Sequence, residues 1–73
     1  MSQNEVQAEI AGVVLSVDCA VGQVVEADEP LLMLESMKME IPVLAPRRGA
    51  VVEIRVSTGE TVLQDQVLVV VDG

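Results

Sequence analysis

Lys38 is the only lysine in this chain of 73 residues. It stands almost at the midpoint, inside the run Glu35-Ser36-Met37-Lys38-Met39-Glu40. A lone nucleophilic amine set between two methionines has the form of an attachment point. The other reactive side chains offer little chemistry. There is no histidine, so His-based acid–base catalysis, a Ser-His-Asp triad and His metal ligation are excluded. Cys19 is the single cysteine and has no base beside it in sequence. It cannot close an internal disulfide and reads as an inert, half-buried thiol, with nothing pointing to an oxidising compartment. Asp28, Glu29, Asp65 and Gln66 fall at turn positions and read as solvated groups. Arg47-Arg48 is the only basic cluster; it reads as a solvated turn, with contact to a partner subunit as the alternative. No catalytic residue and no metal-ligand set is assigned.

The composition limits the elements that could present such an amine. A chain of this length makes one small domain, expected to span residues 1–73, and folding buries only about 60% of the surface the unfolded chain exposes. There is no Phe, Tyr or Trp, so the core must come from Val, Leu, Ile, Ala and Met. The abundance of β-branched residues favours strands. A formal net charge of −8 repels phosphate backbones and argues against nucleic acid as a partner. Ser2-Gln3-Asn4-Glu5 has neither an apolar signal core nor transit-peptide arginines, and no apolar run is long enough to span a bilayer. A cytoplasmic protein with no membrane partner is the expectation.

The chain repeats itself once. A shift of 37 residues lays Gly12 on Gly49, Val14 on Val51, Gly22 on Gly59, Val25 on Val62, Asp28 on Asp65 and Leu31 on Leu68. The register reaches upstream to Val6 with Val43, so the copies run over about 6–36 and 43–73 without a gap. Two such units sharing one core imply a quasi-twofold domain in which each half covers the other.

The repeat also decides a local ambiguity. Residues 29–40 look helical, with Pro30 at a first-turn position followed by strong helix formers. The partner stretch Val67-Leu68-Val69-Val70-Val71 is β-branched, of strand length and a poor helix. Two copies should share a backbone, so both are read as strands. Alternation places Ala50, Val52, Ile54 and Val56 on one face of a strand and Val51, Glu53 and Arg55 on the other, with Leu15 and Val17 opposing Ser16 and Asp18 in the first copy. Gly22 and Gly59 mark equivalent turns that need positive φ, and Gly12 and Gly49 open equivalent strands. The expected fold is all-β: a flattened barrel or sandwich of two small antiparallel sheets. Its twofold puts the Lys38 hairpin opposite the paired chain termini, at the far tip.

That hairpin breaks a rule of turn chemistry. Two-residue turns favour Asn-Gly, Asp-Gly or other Gly-containing pairs, because both central residues need positive φ. Met37-Lys38 has none of these, and such a conflict between local chemistry and required geometry marks a functional demand. Residue types alone leave two readings: exposed methionines that serve recognition by a partner, or methionines tucked into the core with Lys38 as an ordinary turn charge.

The run Glu35-Ser36-Met37-Lys38-Met39 resembles the attachment motif of biotinyl domains, in which Met-Lys-Met follows Ala or Ser. Gly12, Gly22, Pro30-Leu31, Pro46, Gly49, Gly59 and the final apolar strand also fall where the biotinyl and lipoyl attachment family has them, from about Val6 to Asp72. The resemblance implies that a biotin protein ligase joins biotin to Lys38 through an activated biotinyl adenylate. It implies a carrier that catalyses nothing itself, as a subunit of a biotin-dependent carboxylase such as acetyl-CoA carboxylase. A biotin carboxylase loads the carboxyl group, and a carboxyltransferase passes it to an acceptor such as an acyl-CoA. Glu35, Met37 and Met39 are then the residues that ligase and carboxylase read. Lipoyl domains usually carry Asp before the lysine and Ala or a similar residue after it, so biotin is favoured over lipoate. A lipoyl carrier and an unmodified interaction module are the alternatives. Two departures stand out: there is no Ala/Pro-rich N-terminal tether, and Ser16 to Val25 is too short for the protruding loop of some acetyl-CoA carboxylase carriers. The chain therefore resembles a stand-alone carrier of the thumbless type, or a domain without its tether.

Overall fold

The computed structural model describes residues 3–73; Met1 and Ser2, within the expected domain, lie outside the described residues. Eight strands follow one another: β1 Gln3–Gln7, β2 Gly12–Val17, β3 Val24–Val25, β4 Pro30–Ser36, β5 Met39–Leu44, β6 Gly49–Ile54, β7 Thr61–Val62 and β8 Val67–Asp72. They form two antiparallel four-stranded sheets, ordered β1-β8-β6-β3 and β5-β4-β2-β7. Shifted by 37 residues, β2 falls on β6, β3 on β7, and β4 on β8, and the first sheet's order becomes that of the second. The fold is all-β, with no helix among the described residues.

The segment with helical propensity is the strand β4. It pairs with β2 on one side and β5 on the other, and Leu31, Leu32 and Leu34 are fully buried along it. Its counterpart β8 lies between β1 and β6 and buries Leu68, Val69 and Val71. Two-sided pairing satisfies the backbone of each central strand, and the shared core outweighs a propensity preference of a few tenths of a kcal/mol per residue. The core is a layer of Val, Leu and Ala side chains between the sheets.

Strict alternation fails at two positions in each copy. Leu31 and Leu68 are extra residues where β4 meets β5 and β8 meets β1, and β2 and β6 each carry another. The β2–β4 register shifts between Val14 and Ser16, and the β6–β8 register between Val51 and Glu53. Leu15 and Val52 are therefore extra residues in bulges, which bend the strand and displace the inward set by one place. Val51 is buried and Val52 is 39% exposed, so Val52 does not share the inward face with Val56 as alternation alone assigned it. Leu15 is likewise exposed, while its neighbour Val14 is buried.

Four turns are closed by side chains. The carbonyl or carboxylate oxygens of Gln23, Glu29, Glu60 and Gln66 accept from the backbone N–H groups of Ala20, Glu26, Ser57 and Leu63, at 3.0–3.1 Å. Each residue's own N–H donates back to the carbonyl of the same partner, a reciprocal arrangement like a capping box. Glu29 and Gln66 thus act as turn caps, beyond the solvated role read from sequence. Gly22 and Gly59 have φ of 93° and 90° in these turns, as their sequence positions implied.

The connections orient the two ends. Residues 8–11 carry the chain from the end of β1 to the start of β2, beside the β4–β5 hairpin. Residues 45–48 carry it from the end of β5 to the start of β6, beside Asp72, which pairs with Gln3. The hairpin therefore sits at one end of an elongated body of 35 × 17 × 17 Å, and the paired terminal strands sit at the other.

Candidate functional site

β4 and β5 are held in register from Leu32 opposite Val43 to Ser36 opposite Met39, leaving Met37 and Lys38 as a two-residue loop. Both take left-handed backbone, with φ of 54° and 66°. Positive φ at both central residues matches the right-handed twist of the flanking strands. For residues that carry a Cβ this conformation costs roughly 1–2 kcal/mol each. The six paired positions of the hairpin supply the constraint that sustains it.

The turn pushes its side chains outward. Met37 is 86% exposed and Met39 is 63% exposed, so the methionines do not tuck into the core. Lys38 and Glu35 are exposed as well. Among the described residues, no hydrogen bond or ion pair occupies the Lys38 amine. Beneath the tip, Ser36 is buried, and Gly12 of β2 lies so close that a Cβ built on it would stand 2.5 Å from the Glu35 carbonyl oxygen. Glycine at position 12 lets β2 approach the base of the hairpin and support it. The equivalent approach, Gly49 to the Asp72 carbonyl, recurs at the opposite end.

All four residues singled out by sequence, Glu35, Met37, Lys38 and Met39, thus meet on one hairpin. Sequence reasoning passed over Glu40, which pairs directly with Glu35. Like charges facing each other across strands are unfavourable for the fold, and here they flank the single lysine. Pairing could have been counted outward from Met37-Lys38 once a two-residue turn was assumed. Cys19 lies away from this site, half-buried, and its thiol is pushed above the ordinary value by burial first, then by the Asp18 and Glu29 carboxylates. A thiol so disposed stays protonated and unreactive at neutral pH. No group of three or more His, Cys, Asp or Glu placed to hold a metal occurs among the described residues.

Two sheets related by a pseudo-twofold, with one unengaged amine raised on a strained hairpin, define the architecture of an attachment domain. The chain belongs to the biotin/lipoyl attachment family: the family model described as "Biotin-requiring enzyme" matches residues 10–71. It is 40% identical over 67 residues to the "Biotinylated protein TB7.3 homolog" of Mycobacterium leprae, covering 92% of this chain and 94% of that protein. Its structure resembles Kluyveromyces lactis urea carboxylase with a TM-score of 0.93 and 28% identity, over 99% of this chain and 6% of that one. It also resembles the lipoyl domain of the Azotobacter vinelandii 2-oxoglutarate dehydrogenase complex, with a TM-score of 0.74 and 30% identity, over 86% of this chain and 80% of that one. Against Staphylococcus aureus pyruvate carboxylase, 33% identical over 69 residues, the chain spans only 6% of the relative's length.

Proposed function

We propose that the protein is a biotin carboxyl carrier, with biotin held as an amide on Lys38. The observation that carries this reading is the unengaged amine of the chain's only lysine, presented on the Met37-Lys38 turn at the end remote from the terminal strands. The residues fit the group: an exposed primary amine accepts an activated carboxyl without moving any part of the core. Acylation forms the amide C–N bond, releases the activating group and a proton, and removes the one lysine charge. Bound biotin supplies a ring nitrogen that accepts a carboxyl group in one active site and gives it up in another. The chain's own part is mechanical. The hairpin holds Lys38 clear of the sheets, and tethering keeps the carried group at high effective concentration at each active site it visits.

A biotin protein ligase, a biotin carboxylase and a carboxyltransferase are the partners of this reading, with Glu35, Met37 and Met39 as the residues they contact. The assembly is an acyl-CoA carboxylase in the cytoplasm, and the domain performs no catalysis of its own. The names of relatives support this: a "Biotin carboxyl carrier protein" of Streptococcus mutans is 42% identical over 59 residues. Lipoate is the second reading, favoured by the lipoyl-domain likeness; methionine on both sides of Lys38 stands against it. Intact mass after expression with an active biotin ligase tests the proposal. A gain of one biotinyl group is expected, and Lys38→Arg should remove it entirely while leaving the thermal midpoint unchanged. A wild-type chain that never gains mass, or a variant that still does, refutes the site.

A further inference from the structure

Between β5 and the loop after β1 lies a groove of about 190 Å³, lined by Leu34, Ile41, Pro42 and Leu44 on one side and by Glu9 and Ile10 on the other. The 37-residue repeat provides an internal control for it. At the equivalent places in the other copy, Ile10 becomes Arg47, Ile41 becomes Asn4, Pro42 becomes Glu5 and Glu9 becomes Pro46. The same backbone therefore accepts charged and polar residues there, and packing alone does not demand apolar ones. Of the two copies, the one beside the Lys38 hairpin carries Ile10, Ile41 and Pro42 in this groove, with the exposed Glu9 at its edge.

Ile41 follows Lys38 by three residues along β5, roughly 10 Å at the rise of a strand. An extended lysine carrying a five-carbon acyl chain spans roughly 14 Å at ordinary bond lengths. We propose that this groove is a resting site for the bicyclic head of the biotinyl group on Lys38. Ile10 and Ile41 cover its hydrocarbon and thioether face, and the exposed Glu9 carboxylate accepts a hydrogen bond from a ureido N–H, the mix of apolar wall and sparse polar groups that small-ligand sites use. Tethering supplies an effective concentration on the order of millimolar, so a weak site is filled, yet released when an active site competes. The inference rests on the carrier reading.

NMR of the full chain, after intact mass has verified biotinylation, tests it. Cross-peaks from the biotin ring protons to the Ile10 and Ile41 methyls are expected in the biotinylated chain. The double variant Ile10→Arg/Ile41→Asn installs the residues of the other copy, which this backbone already accommodates. It should be biotinylated normally, lose the ring contacts and be captured by streptavidin several-fold faster. Glu9→Gln, at an exposed position, should weaken the ring contacts with no change in thermal midpoint. A biotinylated wild-type chain without those cross-peaks, or a folded double variant with unchanged capture rate, overturns the groove alone. A chain that gains no mass overturns the carrier reading and the groove together.

Discussion

Met37 and Lys38 form a turn of strained backbone that leaves both side chains exposed. Both occupy left-handed backbone that glycine or asparagine would enter at less cost. Met37→Gly should therefore leave the chain as stable or more stable, by up to about 1 kcal/mol once the entropy of the unfolded glycine is set against the relieved strain. If Met37 is read by the ligase, the same substitution should lower the rate of biotinylation by about tenfold, the equivalent of roughly 1.4 kcal/mol of lost contact. Thermal melts and ligase kinetics on one sample separate the two effects. Cys19 makes a different residue-level prediction. Its thiol is held above the 9.0 of an unperturbed cysteine by burial and by Asp18 and Glu29, so the folded state retains the proton longer than the unfolded state. Stability that is fully present below about pH 9 must then decline as pH rises through the folded value. Unfolding midpoints across pH 8 to 11 should fall more steeply in the wild type than in Cys19→Ala; equal slopes would contradict the assignment.

At the scale of elements, the two close backbone approaches are a matched pair. A Cβ at position 12 would meet the Glu35 carbonyl oxygen at 2.5 Å, and one at position 49 would meet the Asp72 carbonyl oxygen at 2.6 Å. Each alanine substitution must spread two strands, at a cost of about 1–3 kcal/mol. Only Gly12 supports the hairpin, so Gly12→Ala should also slow ligase modification at temperatures where both variants are folded. Gly49→Ala, at the opposite end, should not. Equal modification rates would show that the tip does not depend on β2. The bulges at Leu15 and Val52 belong to the same level. A period-two pattern was visible in β2 and β6, but nothing in the local sequence marks which residue is the extra one, because a bulge is defined by the partner strand.

For the whole molecule, the distribution of charge matters more than any one ion pair. Among the described residues the ion pairs are Arg48–Glu26, Arg55–Glu5 and Arg55–Glu53, and all involve exposed side chains, where each contributes little. A net charge of −8 on 73 residues acts through self-repulsion, which salt screens. The thermal midpoint should therefore rise between about 10 mM and 500 mM ionic strength, measured with a weakly interacting salt such as NaCl. A fall would mean that the surface ion pairs outweigh the repulsion. Acylation of Lys38 makes the charge one unit more negative and should make this dependence slightly steeper.

The chain's repeat, its single lysine and its β-branched core were legible without coordinates, and together they specified an all-β domain with the amine at a hairpin. The repeat was informative because two copies in one core must adopt one backbone, which overrode the helical propensity of residues 29–40. Propensity is a local quantity, whereas β4 is extended because it is paired on both sides. The turn-capping roles of Glu29 and Gln66 and the groove between β5 and the loop after β1 emerged only from the structure. The caps depend on the turn backbone that aims each side chain at the N–H three residues earlier, and the groove on which segments lie side by side. Residue types and spacing determined what chemistry the protein could carry; the packing of two sheets decided where Lys38 stands and what surrounds it.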